Sequence, residues 1–318
     1  MLPGFEERDV EIDGVRLHYA EGPNAGPPVV LVPGQSMPWH SYQRVMPLLA
    51  RRFHVYALDV RGHGRSQHTP GQYTFATCGR DLIGFLRQVV KAPAICTGNS
   101  SGGLIALYAA VHAPELVSAL LMEDPPLFTT EWPRIKDDTW VYDFFVHVVK
   151  TLPDLAGFFS TLKVPSKGGK KLMSFPRPLS WLLGGAIRRR QRAAPGQPVD
   201  LWWLPLHVRL FVRGLSEYDV DFTRACTDGR MFDVGPHAEL LAKVRCPALL
   251  IQADSFRTEE LGLVGAMGDD DVERAKAALP ALLVEKWHQP HVVHLAAPRR
   301  FVAALERVSS APAALRAT

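Results

Sequence analysis

The stretch "ICTGNSSGGLIALYAA", residues 95–110, decides how the rest of the chain is read. It begins as an apolar run, stops at two serines among glycines, and continues as a small-residue helix. A strand ending in such a turn presents one side chain at the end of a sheet. Gly98-Asn99-Ser100-Ser101-Gly102 fits G-x-S-x-G in the setting that gives the motif meaning, after a strand and before a helix. The turn would lift the Ser100 hydroxyl clear of the sheet, and glycines two before and two after it leave room for neighbouring backbone. Gly103, Ala106 and Ala110 then let the helix pack close. The plainer alternatives are a simple chain reversal or a close helix–sheet contact. In this setting Ser100 is expected to be a nucleophile. The N–H of Ser101, at the helix N-terminus, is expected to be half of an oxyanion hole, because orphan donors and the helix dipole favour negative charge there.

Outward from this stretch, strands and helices alternate at short spacing. "VEIDGVRLHYA" (10–20) alternates around Asp13-Gly14 and predicts a hairpin. Strands are expected at 27–34, 53–60, 94–98, 117–124, 246–254 and 281–287. Helices are expected at 39–52, 79–90, 101–113, 271–279 and 297–308, and the tail 309–318 should fray. The pattern predicts an α/β fold with a mainly parallel central sheet covered by helices on both faces. Residues 127–233 differ: they hold five of the seven Trp and nine of the fifteen Phe, with helical periodicity, proline breaks and no strand alternation. They are expected to form a helical cap, or lid, inserted in a core of residues 1–126 and 234–318. Most of its aromatics should fill its own interior, and an apolar lid also suits an apolar, ring-bearing ligand.

A serine nucleophile needs a base and an acid. The loop "WHQPHVVHLAAP" (287–298) follows the last strand and precedes the last helix. His291 lies mid-loop and is the expected general base, with His288 and His294 as its neighbours. The acid has three candidates at strand ends: Glu123 and Asp124 in "LLMEDPP", and Asp254 in "LLIQADSF". All preserve the order Ser, acid, His. The second oxyanion donor is expected from "PGQSMPW", as the backbone N–H of Gln35.

The totals exclude other classes. The chain has 318 residues, a formal charge of +4, 47% apolar and 21% charged residues, an ordinary balance for a globular protein. The start "MLPGFEERDV" has no apolar h-region, and no run approaches a membrane span, so a cytoplasmic protein without stable membrane insertion is expected. Cys78, Cys96, Cys226 and Cys246 show no metal spacing and should be reduced thiols. "GHGRSQ" lacks the third glycine of a dinucleotide loop and "SKGGKKL" lacks P-loop spacing. No cofactor and no metal are expected. Residues 155–199 hold nine basic residues and no Asp or Glu. Cations complementing a helix C-terminus account for this more simply than nucleic acid or a membrane.

Together, "LDVRGHGRSQ", "GNSSGG" and "HVVHLAAPRRF" resemble the α/β-hydrolase superfamily over about 9–126 and 245–308. Within it, "VVLVPGQ", "FHVYALDVRGHGRS", "GNSSGG" and "MEDPPLF" are most similar to the zearalenone lactonases, cofactor-free enzymes that open a macrocyclic resorcylic lactone. The resemblance implies an acid on the strand after the nucleophile helix, ten residues past the proline ending that helix. Counted from Pro114, that is Asp124. The chain departs from the common pattern at Pro33-Gly34, at Ala253-Asp254-Ser255-Phe256 and at Pro290. Phe256 occupies the usual later acid position, which favours Asp124 over Asp254. The expectation is a serine hydrolase with Ser100, His291 and Asp124 acting on an apolar, aromatic ester or lactone. A thioesterase, an iminopeptidase-like hydrolase and a hydrolase-fold ligand receptor are the rivals, and a homodimer is compatible with the sequence.

Overall fold

The computed structural model describes residues 2–166, 172–174 and 176–311. The chain opens with the expected hairpin, β1 (Glu6–Ile12) and β2 (Val15–Glu21), antiparallel about Asp13-Gly14. Both turn residues have positive φ, 48° and 80°, the conformation for which Asp-Gly is suited. β3 (Pro28–Val32), β4 (His54–Leu58), β5 (Ala94–Asn99) and β6 (Val117–Glu123) follow. After an intervening region come β9 (Ala248–Gln252) and β12 (Leu283–Lys286), with β7, β8, β10 and β11 forming two small ribbons described below.

The eight-stranded sheet runs β1-β2-β4-β3-β5-β6-β9-β12 and is parallel from β4 to β12. Its central strands are apolar on both sides, and alternate side chains sort into two cores. Val30, Val32, Cys96, Leu120, Met122 and Leu250 face the helix Ser101–His112. Val29, Leu31, Ile95, Leu121, Leu249 and Ile251 face Trp39–Arg44 and the last helix, Pro298–Ser309. Each fully buried aliphatic side chain contributes about 1.5–3 kcal/mol, so the two-sided burial fixes the strand register that aims β5 and β6 at the site.

Three elements differ in detail from the sequence expectation. The helix expected from 79 starts at Phe75, because Thr74 caps it by accepting the Thr77 N–H at 3.0 Å. It ends at Phe85 and continues as a π turn, Leu86–Val90, stopped by Lys91 at φ 57°. The stretch 39–52 is a 3-10 segment, Trp39–Arg44, and one helical turn, Met46–Leu49, since Pro47 belongs at a helix start. A short helix, Val293–Ala296, interrupts the histidine loop before the last helix.

Between β6 and β9 lie the helices Arg134–Asp138, Trp140–Thr151, Leu155–Thr161, Arg177–Ala193, Leu206–Ser216 and Val220–Thr227. Phe144, Phe158, Phe159 and Phe211 interlock there edge to face and stacked. This region is not wholly helical: β7 (Lys163–Pro165) pairs antiparallel with β8 (Leu172–Ser174). The intervening 167–171, which include most of "SKGGKKL", lie outside the described residues, as do 312–318 of the expected frayed tail. A second ribbon, β10 (Phe256–Thr258) with β11 (Gly262–Val264), follows β9. Leu263 bridges to Thr139 of the inserted region. Among the described residues no helix is long and apolar enough to cross a membrane.

Candidate active site

Ser100 stands between β5 and the helix Ser101–His112 with φ 54° and ψ −124°. A non-glycine residue in such a conformation costs on the order of 1–3 kcal/mol, and the surroundings must impose it. They do so from both sides. The Ser100 N–H donates to the Glu123 carbonyl at 2.8 Å, and the Gly103 N–H donates to the Ser100 carbonyl at 2.9 Å. The glycines are required by space. A Cβ on Gly98 would lie 2.1 Å from the Gly102 carbonyl oxygen, and one on Gly102 would lie 2.2 Å from the Val32 oxygen.

The histidine loop meets the strand ends in three separate acid–imidazole pairs. His291 Nδ1 donates to Asp124 Oδ2 at 2.6 Å. His294 Nδ1 donates to Glu123 at 2.7 Å, and the Glu123 carboxylate also accepts the His294 backbone N–H at 3.0 Å. His288 Nδ1 pairs with Asp254 at 3.0 Å. Each candidate base thus has its own candidate acid, and only one pair reaches the cavity with its acid buried. Glu123–His294 is sealed in the interior, with the His294 ring stacked on Tyr42. In His288–Asp254 both side chains are largely exposed. In His291–Asp124 the carboxylate is buried while 44% of the imidazole surface is open. Asp124 is fixed by a second contact, since its Oδ1 accepts the Ala253 N–H at 3.0 Å. The loop is fixed by Asn99, whose Nδ2 donates to the His291 carbonyl at 3.0 Å. Burial lowers the His291 pKa, but the Asp124 hydrogen bond and charge, with Glu123 behind, outweigh it and raise the pKa above 6.5.

Ser100, Ser101, Gln35 and His291 all line one cavity of about 480 Å³. Ser101 is the first residue of its helix, so its N–H lacks an intrahelical acceptor. Gln35 sits on the loop after β3, and its side chain crosses to the inserted region. Nε2 donates to Thr223 Oγ1 at 2.9 Å, and Cys226 Sγ–H reaches Oε1 at 3.6 Å. Most of the remaining wall is apolar: Trp140, Val141, Phe144, Phe145, Val148 and Phe211 come from the inserted helices. The β10–β11 ribbon adds Phe256, which stands at the later acid position of the common pattern, and Val264, which no sequence signal placed near the site.

The turn "LDVRGHGRSQ" braces the site from outside it. Buried Asp59 accepts the Trp39 N–H at 2.6 Å and the Arg65 N–H at 2.9 Å. Burial pushes its pKa up to about 6. Burial brings His63 down to about 4, and its ring packs edge-on against Tyr218 and Phe222 of the inserted region. Among the described residues no cluster of His, Cys, Asp and Glu could hold a metal.

A family profile described as "alpha/beta hydrolase fold" matches residues 27–183. Bifunctional epoxide hydrolase 2 of Sus scrofa is 33% identical over 116 residues, 36% of this chain and 21% of that protein. The 2-hydroxy-6-oxo-6-(2'-aminophenyl)hexa-2,4-dienoic acid hydrolase of Metapseudomonas resinovorans is 31% identical over 156 residues, 46% of this chain and 53% of that one. The matches therefore span about half or less of these relatives' length. The crystal structure of a hydrolase from Pseudomonas aeruginosa PA01 superposes over 98% of this chain and 100% of its own, with TM-score 0.65 and 21% identity.

Proposed function

The chain belongs to the α/β-hydrolase superfamily, and from that premise we propose that it is a serine hydrolase that cleaves a carboxyl ester or lactone through an acyl-enzyme. Ser100 Oγ attacks the carbonyl carbon while His291 Nε2 takes its proton. Asp124 holds Nδ1–H, sets the tautomer and stabilises the imidazolium. The N–H groups of Ser101 and Gln35 hold the oxyanion, each worth ~10²–10³ in rate. Collapse breaks the C–O bond, and the leaving oxygen takes the proton from His291. Water, deprotonated by His291, then releases the acyl group, and in a lactone the freed alcohol stays attached to it.

The observation that carries this reading is the 2.6 Å hydrogen bond between His291 and buried Asp124, with His291 and Ser100 on the wall of one apolar cavity. The cavity's size lies in the range of small-molecule sites. Its aromatic walls favour an apolar, ring-bearing substrate, and a zearalenone-type macrolactone is the most specific proposal. Residues 127–233 act as the lid over it. A fluorophosphonate probe with peptide mapping tests the reaction class. Labelling is expected at Ser100 and lost in Ser100→Ala, and labelling absent from Ser100 would reject the proposal. Turnover of zearalenone, short p-nitrophenyl esters and acyl-CoA tests the substrate class.

A further inference from the structure

The helix Arg177–Ala193 buries Ser180, Leu183, Gly184 and Ile187, the i, i+3, i+4, i+7 stripe of an amphipathic helix. Its opposite face should be polar, and its first half is not. Leu179, Trp181 and Leu182 are exposed, Trp181 at 77%. The second half of that outer face is basic, with exposed Arg188, Arg189 and Arg192. At 1.5 Å per residue the cations begin about 10 Å from the indole along the axis.

Further apolar side chains are exposed shortly before this helix in the chain. β8 ends just before this helix and exposes Leu172 and Met173. Met173 pairs in register with Val164 of β7, which is itself partly exposed and also lines the cavity. Several exposed apolar side chains on one helix face, a tryptophan among them, mark an interaction surface. A helix C-terminus accounts for Arg190 and Arg192 in the last turn but not for an exposed indole at the other end.

Charge selects the occupant. The described part of 155–199 carries Lys163, Arg177, Arg188, Arg189, Arg190 and Arg192 and no carboxylate. Among the described residues the acid that reaches it is Asp154, 3.7 Å from Arg188. A parallel two-fold pairing of this face with itself would set cations against cations, and an antiparallel one would set them against the partner's apolar half, leaving the charge unanswered in either case. An anionic bilayer offers what the face lacks: an apolar layer for Trp181 and Leu182, and phosphates for the arginines. We propose that this face docks on the surface of an anionic lipid bilayer and that Val164 marks where an apolar substrate passes from the bilayer into the cavity. The passage rests on the serine-hydrolase reading; the docking does not.

Cosedimentation of the full chain with vesicles of phosphatidylcholine, with and without phosphatidylglycerol, tests the docking. Binding is expected only with phosphatidylglycerol, weakening as salt rises. Arg188→Gln and Arg189→Gln should each lower the partition about fivefold, and Trp181→Ser with Leu182→Ser should abolish it. These side chains are exposed, so thermal unfolding should not move. Ser100→Ala should bind as the wild type does, which separates failure of docking from failure of the hydrolase reading. Equal binding to both vesicle types, none to either, or a dimer in ultracentrifugation that Trp181→Ser dissociates would overturn the docking. Trp181→Ser/Leu182→Ser should hydrolyse a dissolved short ester normally and a vesicle-borne ester at least about tenfold more slowly. Equal rates on the vesicle-borne ester would overturn the passage.

Discussion

Replacing Asp124 by Asn should lower kcat/KM by about 10³-fold or more, and the contacts of the carboxylate say why. Its two oxygens have different jobs: Oδ1 accepts the Ala253 N–H at 3.0 Å and Oδ2 accepts His291 Nδ1–H at 2.6 Å. An amide has one acceptor oxygen, and the Ala253 N–H holds it. The NH₂ group then faces His291, which must turn Nδ1 into an acceptor and place its proton on Nε2. That tautomer cannot take the Ser100 proton. The lost charge adds to this. At 2.6 Å a unit-charge pair attracts by about 6 kcal/mol in an effective dielectric of about 20. With 44% of the imidazole surface open, solvent screening leaves ~4 kcal/mol, or ~10³ in rate. Asp254→Asn is the control. Asp254 and His288 are 58% and 84% exposed, and an exposed pair is worth less than about 1 kcal/mol, so the loss should stay under about fivefold. Steady-state hydrolysis of a p-nitrophenyl ester, with circular dichroism to establish folding, measures both. A drop of less than tenfold for Asp124→Asn, or a larger drop for Asp254→Asn, would refute the reasoning.

The His291 pKa is raised above 6.5, and the base must be neutral, so kcat/KM should fall as pH drops through a value above 6.5, with Asp124→Asn moving that limb to lower pH; a pH–rate profile of both proteins checks it. The sign for folding is opposite: the His291–Asp124 contribution is complete below about pH 6.5 and is lost as pH rises through the raised value, which urea unfolding across that window would register. His294→Phe should cost ~1–3 kcal/mol in urea unfolding, because the sealed Glu123 side chain loses the imidazole that hydrogen-bonds it at 2.7 Å; a loss under about 0.5 kcal/mol would contradict a stabilising role for that contact. Gly98→Ala sets a Cβ 2.1 Å from the Gly102 oxygen, so unfolding should shift by ~1–3 kcal/mol and Ser100 labelling should fall; a neutral result would mean the turn relaxes easily.

What the sequence made legible is what short-range chemistry determines. Apolar runs with glycine stops located the central strands, and G-N-S-S-G after one of them located the positive-φ turn at Ser100. The histidine loop was legible as a loop and its middle imidazole, His291, stood out by position, but the acid each of its three imidazoles meets lies more than thirty residues away. His291 and Asp124 are 167 positions apart, and nothing local to "MEDPP" decides which of two adjacent carboxylates meets His291. Both are buried: Glu123, the last residue of β6, turns to His294, and Asp124, with φ 43° just past the strand end, turns to His291. The ribbon Phe256–Val264 was missed because its two strands are three residues each, too short for alternation to register. Thr74 was missed as a helix start because Thr77 stands where a capping box carries Glu or Gln.

The side chain of Gln35 ties the loop after β3 to Thr223 and Cys226, 188 and 191 residues away. On the proposed mechanism, the loop that would donate half of the oxyanion hole is thereby moored to the segment whose side chains form much of the cavity wall. Exchanging the whole inserted region for another, to retarget the protein, would cut that mooring unless a hydroxyl is kept opposite the amide. Graft junctions placed after Pro126 and before Val220 would keep it, letting selectivity be rewritten while the floor stays anchored.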